Sequence, residues 1–195
     1  MPRVSEEHLT ARREQILAAA RACFLRNGLH NTSMQDLIAE AGLSVGAVYR
    51  YFRSKNEIIN AIAQSVAGTL TLRLGEIADD DDLSLADAMA LVLDLVDEQV
   101  RPGGNFPLAM QVWSEATLDP AIAAIVRERY LGMRKPFVAL AERAVARGEI
   151  GAGSDPGAVG ATLFGFIPAY ALQRQLVGSP DKETFLRGVR ALLTR

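Results

Sequence analysis

Residues Thr32–Lys55 read TSMQDLIAEAGLSVGAVYRYFRSK, two short helices joined by a tight turn. A side-chain oxygen of Thr32 or Ser33 can satisfy a free backbone N–H where the first helix starts. Met34, Leu37, Ile38 and Ala41 then share one helical face. Gly42 ends that helix, because a left-handed backbone costs glycine little. Ser44 can cap the second helix, whose inward side is Val48 and Phe52. Its other side carries Val45, Gly46, Ala47, Tyr49 and Arg50: small residues that permit close approach, then a ring and a cation. The segment closes on Tyr-Arg-Tyr-Phe-Arg-Ser-Lys, which sets Arg50, Arg53 and Lys55 beside two phenols. A helix pair with a glycine turn occurs in many helical proteins. This ending suits a helix lying in a DNA major groove with its end against phosphates.

The residues carry a family resemblance. Thr32-Ser33-Met34, Ala41-Gly42-Leu43-Ser44, Gly46, and Tyr49-Arg50-Tyr51-Phe52 with Ser54-Lys55 are similar to the TetR family of bacterial transcriptional regulators. Ile16, Ala19, Ala20, Phe24 and Gly28 match the family's first helix, and Ile58 and Ala61 its fourth, so the motif-level match covers roughly residues 9–63. One position departs from the pattern: where the family usually has Ile-Ala before the turn, this chain has Leu37-Ile38, a bulky residue at the helix crossing. The resemblance implies an all-α fold. An N-terminal three-helix helix-turn-helix DNA-binding domain, residues 1–55, would precede a C-terminal helical bundle, residues 56–195, for effector binding and dimerisation. Trp113-Ser-Glu-Ala116, Asp119-Pro120 and Gly148-Glu-Ile150 resemble the family's body domain more loosely.

Composition agrees. A chain of 195 residues, 49% hydrophobic and only 6% aromatic, can bury a sizeable core and reads as helical. The opening MPRVSEEHLTARREQ has no signal-peptide core and no later run is apolar enough to span a bilayer, so a cytoplasmic protein without a membrane partner is expected. The single Cys23 excludes an internal disulfide and, in an Ala-rich helix, reads as a small buried hydrophobe. The net charge of −2 hides an asymmetry. Residues 1–55 hold eight Lys or Arg against five Asp or Glu, and residues 56–195 hold thirteen against eighteen. A basic head on an acidic body is the pattern expected when only the head meets phosphate.

Taken in order, residues 2–7 read as a loose arm with Arg3 as its cation, and the first helix as roughly 6–27 with Leu9, Ile16, Leu17, Ala20, Cys23 and Phe24 inward. A long helix begins at Lys55 and keeps apolar spacing to Leu74, with Gly75 as its expected breaker. Such a helix is a natural lever between head and body. Asp79–Asp82 reads as a solvated, self-repelling loop, since no calcium-loop spacing accompanies it. Ser84 caps a helix to about Val100, and further helices are expected over roughly 106–117, 120–148, 156–178 and 181–194. Gly151, Gly153 and Gly157 lack nucleotide-loop spacing and read as a helix–helix connection. Pro168 is expected to kink its helix.

Catalytic signals are missing: no G-x-S-x-G, P-loop or H-E-x-x-H occurs, and neither His8 nor His30 has a second ligand at metal spacing. No catalytic residue, metal or cofactor is therefore assigned. Family resemblance implies a small-molecule effector pocket, for which Phe106, Met110, Trp113, Tyr130, Met133, Phe137, Phe164 and Tyr170 supply adaptable and flat side chains. Phe166 belongs to the same aromatic set, and Gln111, Glu115, Arg127, Arg134 and Gln173 are polar candidates for the lining, the arginines equally for the surface. The two apolar C-terminal helices either close the monomer core or, as the resemblance implies, form a two-fold homodimer interface.

The expected activity is ligand-responsive transcriptional regulation, with a repressor binding a near-palindromic double-stranded operator. Val45, Gly46, Ala47 and Arg50 would face base edges, Tyr49 base or backbone, and Thr32, Ser33, Ser44, Tyr51 and Lys55 the phosphate backbone or the helix ends beside it. The alternatives are an architectural or nucleoid-associated DNA-binding protein without an effector, and an enzyme or ligand carrier whose helix pair is only structural.

Overall fold

A computed structural model describes residues 6–193. Among these residues the chain forms helices only: α1 (Glu6–Asn27), α2 (Met34–Ala41), α3 (Val45–Tyr49), α4 (Lys55–Asp79), α5 (Leu85–Val100), α6 (Phe106–Ala116), α7 (Pro120–Ala146), α8 (Pro156–Val177) and α9 (Lys182–Leu193). The arm residue Arg3 lies outside the described residues. Two compact units result. The first comprises the chain up to Ser65 together with Pro107–Arg127, and the second Val66–Phe106 with the chain from Glu128 onward. The division expected at residue 55 thus falls inside the first unit, at the start of α4.

In the first unit α1 supplies the core. Ile16, Leu17, Ala20, Cys23 and Phe24 are buried on one side of it, each large side chain contributing about 1.5–3 kcal/mol by leaving water. Leu37, Ala41, Val48, Phe52, Ile58 and Ile59 complete that core. Ile38, the bulky departure from the family pattern, is half-buried beside the fully buried Leu37. Three polar links hold α1 to α2 among the described residues: Gln15 Nε2 donates to Ala41 O at 2.9 Å, Arg26 pairs with Glu40 at 2.7 Å, and the Cys23 thiol donates to Asp36 O at 3.8 Å.

Helix ends follow local chemistry. At α2, Ser33 is the cap: its Oγ accepts from the Asp36 N–H at 3.2 Å, while Asp36 Oδ2 accepts from the Ser33 N–H at 2.8 Å. This reciprocal box satisfies two donors that a helix start leaves free, and the Ser33 backbone and hydroxyl hold the Asp36 carboxyl below its usual range. Gly42 ends α2 with φ 63°, a left-handed value that a side chain would strain. Gly75 does not break α4, which continues to Asp79. A single glycine costs about 1 kcal/mol in a helix interior, and the buried Leu74 and Ala78 on either side outweigh it.

In the second unit Met89, Val92 and Leu93 of α5 pack in a core with Phe137, Leu140, Leu163 and Tyr170. Gly160 lets α8 run close to α7; a Cβ there would stand 2.7 Å from Val138 Cα. Both helices carry an internal proline, Pro136 and Pro168, and run on through it. Each proline forfeits one backbone bond to the residue four positions earlier. The aspartate run is exposed, as expected, yet its backbone is held. Arg143 donates to Ala78 O, and Arg147 donates to Leu83 O and Asp81 O. Glu149 Oε2 accepts from the Leu85 N–H, which fastens the start of α5. The two guanidiniums lie 3.7 and 3.9 Å from the Asp81 carboxylate and offset the repulsion within the run.

Candidate nucleic-acid interface

The short helix α3 begins at Ser44, whose Oγ accepts from the Ala47 N–H at 3.3 Å. Val48 and Phe52 anchor it inward, and the Arg13 guanidinium sits over the Phe52 ring, 5.4 Å from its centroid. That anchoring decides what faces out. Val45 is 59% and Tyr49 43% exposed, and Ser44, Gly46 and Arg50 are exposed beside them, with Ala47 and Tyr51 half-buried. A Cβ added at Gly46 would meet nothing within 4 Å, so packing inside the chain does not demand glycine there. The Arg50 side chain has no hydrogen-bond or ion-pair partner among the described residues. The outcome is a small, uncrowded surface ending in an unpaired guanidinium and two phenols.

Three of the residues expected at phosphates are engaged within the chain. Thr32 is 1% exposed and its hydroxyl donates to Gly28 O at 2.7 Å. The Lys55 ammonium is half-buried and donates to Leu29 O at 2.9 Å and Thr32 O at 3.2 Å. Ser33 is exposed, with its hydroxyl on Asp36. Thr32 therefore does not offer its hydroxyl at the surface, and Lys55 ties the start of α4 to the α1–α2 turn. The reason is local. The turn leaves carbonyls without helical partners, and a neighbouring ammonium or hydroxyl satisfies them. At the start of α4, Ser54 Oγ accepts from the Glu57 N–H at 3.2 Å, and Glu57 accepts from the Arg53 N–H at 2.7 Å.

The residues expected to line an effector pocket divide between the units. Met110 and Trp113 belong to the first; Phe106, Tyr130, Met133, Phe137, Phe164 and Tyr170 belong to the second. In the second unit Phe164 gathers a cluster, with Tyr130 edge-on at 4.6 Å and Phe137 at 5.4 Å between ring centroids. Tyr170 packs instead on Phe185 at 4.9 Å and donates its hydroxyl to Asp97 Oδ1 at 2.9 Å. Burial and the Asp97 carboxylate push its phenol well above the usual range. Asp97 also meets Arg174 Nε at 3.4 Å, and both line an open cleft of about 230 Å³ with Val100, Arg101 and Gly178. The sequence reading missed this pair, since residues so far apart in the chain carry no spacing signal. Gln111 and Glu115 also turn elsewhere. Gln111 Oε1 accepts from the Leu29 N–H at 2.9 Å, and Glu115 lies 3.5 Å from His30 Nδ1. Among the described residues no cluster of three or more His, Cys, Asp or Glu could hold a metal ion, and no helix is long and apolar enough to cross a membrane.

Comparison with known proteins places this geometry. Residues 16–62 match the family described as bacterial regulatory proteins, tetR family, and residues 77–191 match the tetracyclin repressor-like C-terminal domain. A Mycobacterium tuberculosis relative, the HTH-type transcriptional repressor Rv1474c, is 33% identical over 136 residues, covering 66% of this chain and 71% of its own. The HTH-type transcriptional regulator UidR of Escherichia coli K12 is 25% identical over 182 residues, covering 93% and 90%. Among solved structures, Salmonella enterica GusR shares the fold with a TM-score of 0.81 at 24% identity, covering 99% of this chain and 97% of its own. The helix-turn-helix head, the helical body and these two matches identify the chain as a member of the TetR family of bacterial regulatory proteins, a ligand-responsive DNA-binding transcriptional regulator.

Proposed function

We propose that the protein is a cytoplasmic repressor. Two copies bind a near-palindromic operator, one α3 in each of two successive major grooves about 34–36 Å apart. A small apolar or amphipathic molecule then binds the C-terminal domain and releases them. The observation that carries the reading is the outer face of α3. Gly46 has open space around it, and Arg50 is exposed without a partner among the described residues, whereas Val48 and Phe52 hold the helix from beneath. Val45, Gly46 and Ala47 admit base edges closely, and Arg50 suits the O6 and N7 of guanine. Ser33, Ser44, Tyr49 and Tyr51 are set to meet phosphate and fix register. Thr32 and Lys55 serve from within by holding the α1–α2 turn.

The aromatic cluster of Tyr130, Phe137 and Phe164 supports a flat or apolar effector, with Phe106, Met110, Trp113, Met133 and Tyr170 as further candidates. The effector must bind the non-binding state more tightly, because equal affinity for both states shifts nothing. Leu172, Leu176 and Val177 of α8 and Leu192 of α9 are exposed apolar residues, Leu176 at 69% and Leu192 at 75%. They support pairing of two copies through the C-terminal helices.

Selection from random duplex DNA at 50 and 200 mM salt tests the reading. One near-palindrome is expected, with affinity falling by about a thousandfold or more across that range for six to ten phosphate contacts. Arg50→Ala should weaken it by roughly 1–3 kcal/mol per half-site. Binding without sequence preference, or an unaffected variant, would overturn the assignment.

A further inference from the structure

Leu29 stands in the turn between α1 and α2, and both halves of its backbone are held from outside that turn. Its carbonyl accepts from Lys55 Nζ on α4, and its N–H donates to Gln111 Oε1 on α6, each at 2.9 Å. Two further links run in parallel. Glu115, four residues along α6 and so on the same face, reaches His30 at 3.5 Å. Asp119, just before α7, accepts from Asn56 Nδ2 at 3.3 Å in the first turn of α4. All of these groups belong to the first unit. The Ala121 N–H and the Asn56 amide both favour the ionised Asp119, whose carboxyl is held below its usual range. Leu29 is 2% exposed, so its N–H has little access to water and depends on Gln111 for a partner.

We infer that Gln111 is a positioning residue for operator binding. It touches no DNA; it holds the turn from which α2 departs, and α2 carries α3. Four residues after Leu29, Ser33 starts α2. Any freedom at that turn passes through α2 and the left-handed Gly42 turn into the angle at which α3 is presented. Lys55 and Gln111 grip the same residue from two helices, so α6 sets the head directly as well as along the covalent path through α4. Seen this way, Gln111 and Glu115 face the head turn instead of an effector cavity. The inference rests on the DNA-binding reading above.

The test uses the full chain with Gln111→Met, which keeps length and removes the strong acceptor, and Gln111→Glu, which keeps an acceptor oxygen. Amide exchange at Leu29 is read without DNA, and affinity is read on the selected operator. Gln111→Met should speed Leu29 exchange and weaken operator binding by about tenfold, the loss of a buried bond being felt in the bound geometry. Gln111→Glu should restore both. Faster exchange with operator affinity within twofold of wild type would reduce Gln111 to a structural role and overturn the inference, as would unchanged exchange or tighter binding. Asn56→Ala provides a second variant should Gln111→Met not fold, and it should lower operator affinity several-fold; no change would count equally against the inference. A wild-type chain that selects no DNA would defeat the functional reading itself, an outcome distinct from these.

Discussion

Gly160→Ala tests how closely α7 and α8 pack. A Cβ at residue 160 would lie 2.7 Å from Val138 Cα, 2.8 Å from Val138 N and 2.9 Å from Phe137 O. All three are backbone atoms, so no rotamer change can relieve them. Restoring a van der Waals separation of about 3.5 Å requires the helices to part by roughly 0.8 Å, which forfeits a quarter to a half of the dispersion between the atoms that separate. Overpacking of this kind typically costs about 1–3 kcal/mol, and the better helix propensity of alanine returns about 1 kcal/mol at most. A net loss of about 1–2 kcal/mol corresponds to a fall in Tm of roughly 2–8 °C for a chain of this size. The control is Gly68→Ala on α4, where an added Cβ meets nothing within 4 Å and the residue is exposed; there only the propensity term remains and Tm should rise slightly. Thermal melts at fixed protomer concentration decide, since association would shift Tm by mass action. A Gly160→Ala melt at or above wild type, or equal falls in both variants, would refute the crossing argument.

Three further outcomes follow from two buried groups. Tyr170→Phe removes the donor to Asp97 while keeping the ring on Phe185, and should lower stability by about 1.5–3 kcal/mol, as expected for a bond to a charged group. The Tyr170 phenol is raised in the folded state, so its contribution is fully present below the unfolded value of about 10 and is lost as pH rises above it; urea titrations of wild type should show stability falling over that alkaline range and Tyr170→Phe should lack the corresponding slope. Burial pushes the Cys23 thiol up, so a thiol reagent at neutral pH should react slowly with native protein and rapidly in denaturant. Fast native labelling would contradict the buried placement.

Much of the head was legible because its signals are local. Val48 and Phe52 face inward, Ser33 and Ser44 cap, and Gly42 turns left-handed, each as the residues themselves require. The start of α4 at Lys55 was equally plain, while its passage through Gly75 was not, because helix length was decided by burial on either side of the glycine. Lys55 shows where local reading stops. A lysine at a helix start beside two phenols reads as a phosphate contact, and only the folded turn shows two carbonyls within reach of its ammonium. The aspartate run is a similar case: its exposure was legible, but its arginine clamp joins residues more than sixty positions apart.

The helical class, the capped helix pair and the small-residue face ending in Arg50 follow from local residue patterns, because propensity, capping and periodicity act within a few residues. Tertiary structure alone decided which polar groups remain free. Lys55, Gln111 and Glu115 found partners across the fold, and Tyr170 found Asp97, whereas Arg50 found none among the described residues. A polar group's availability depends on which distant donor or acceptor folding brings near. That is set by the packing of helices, which spacing along the chain does not encode.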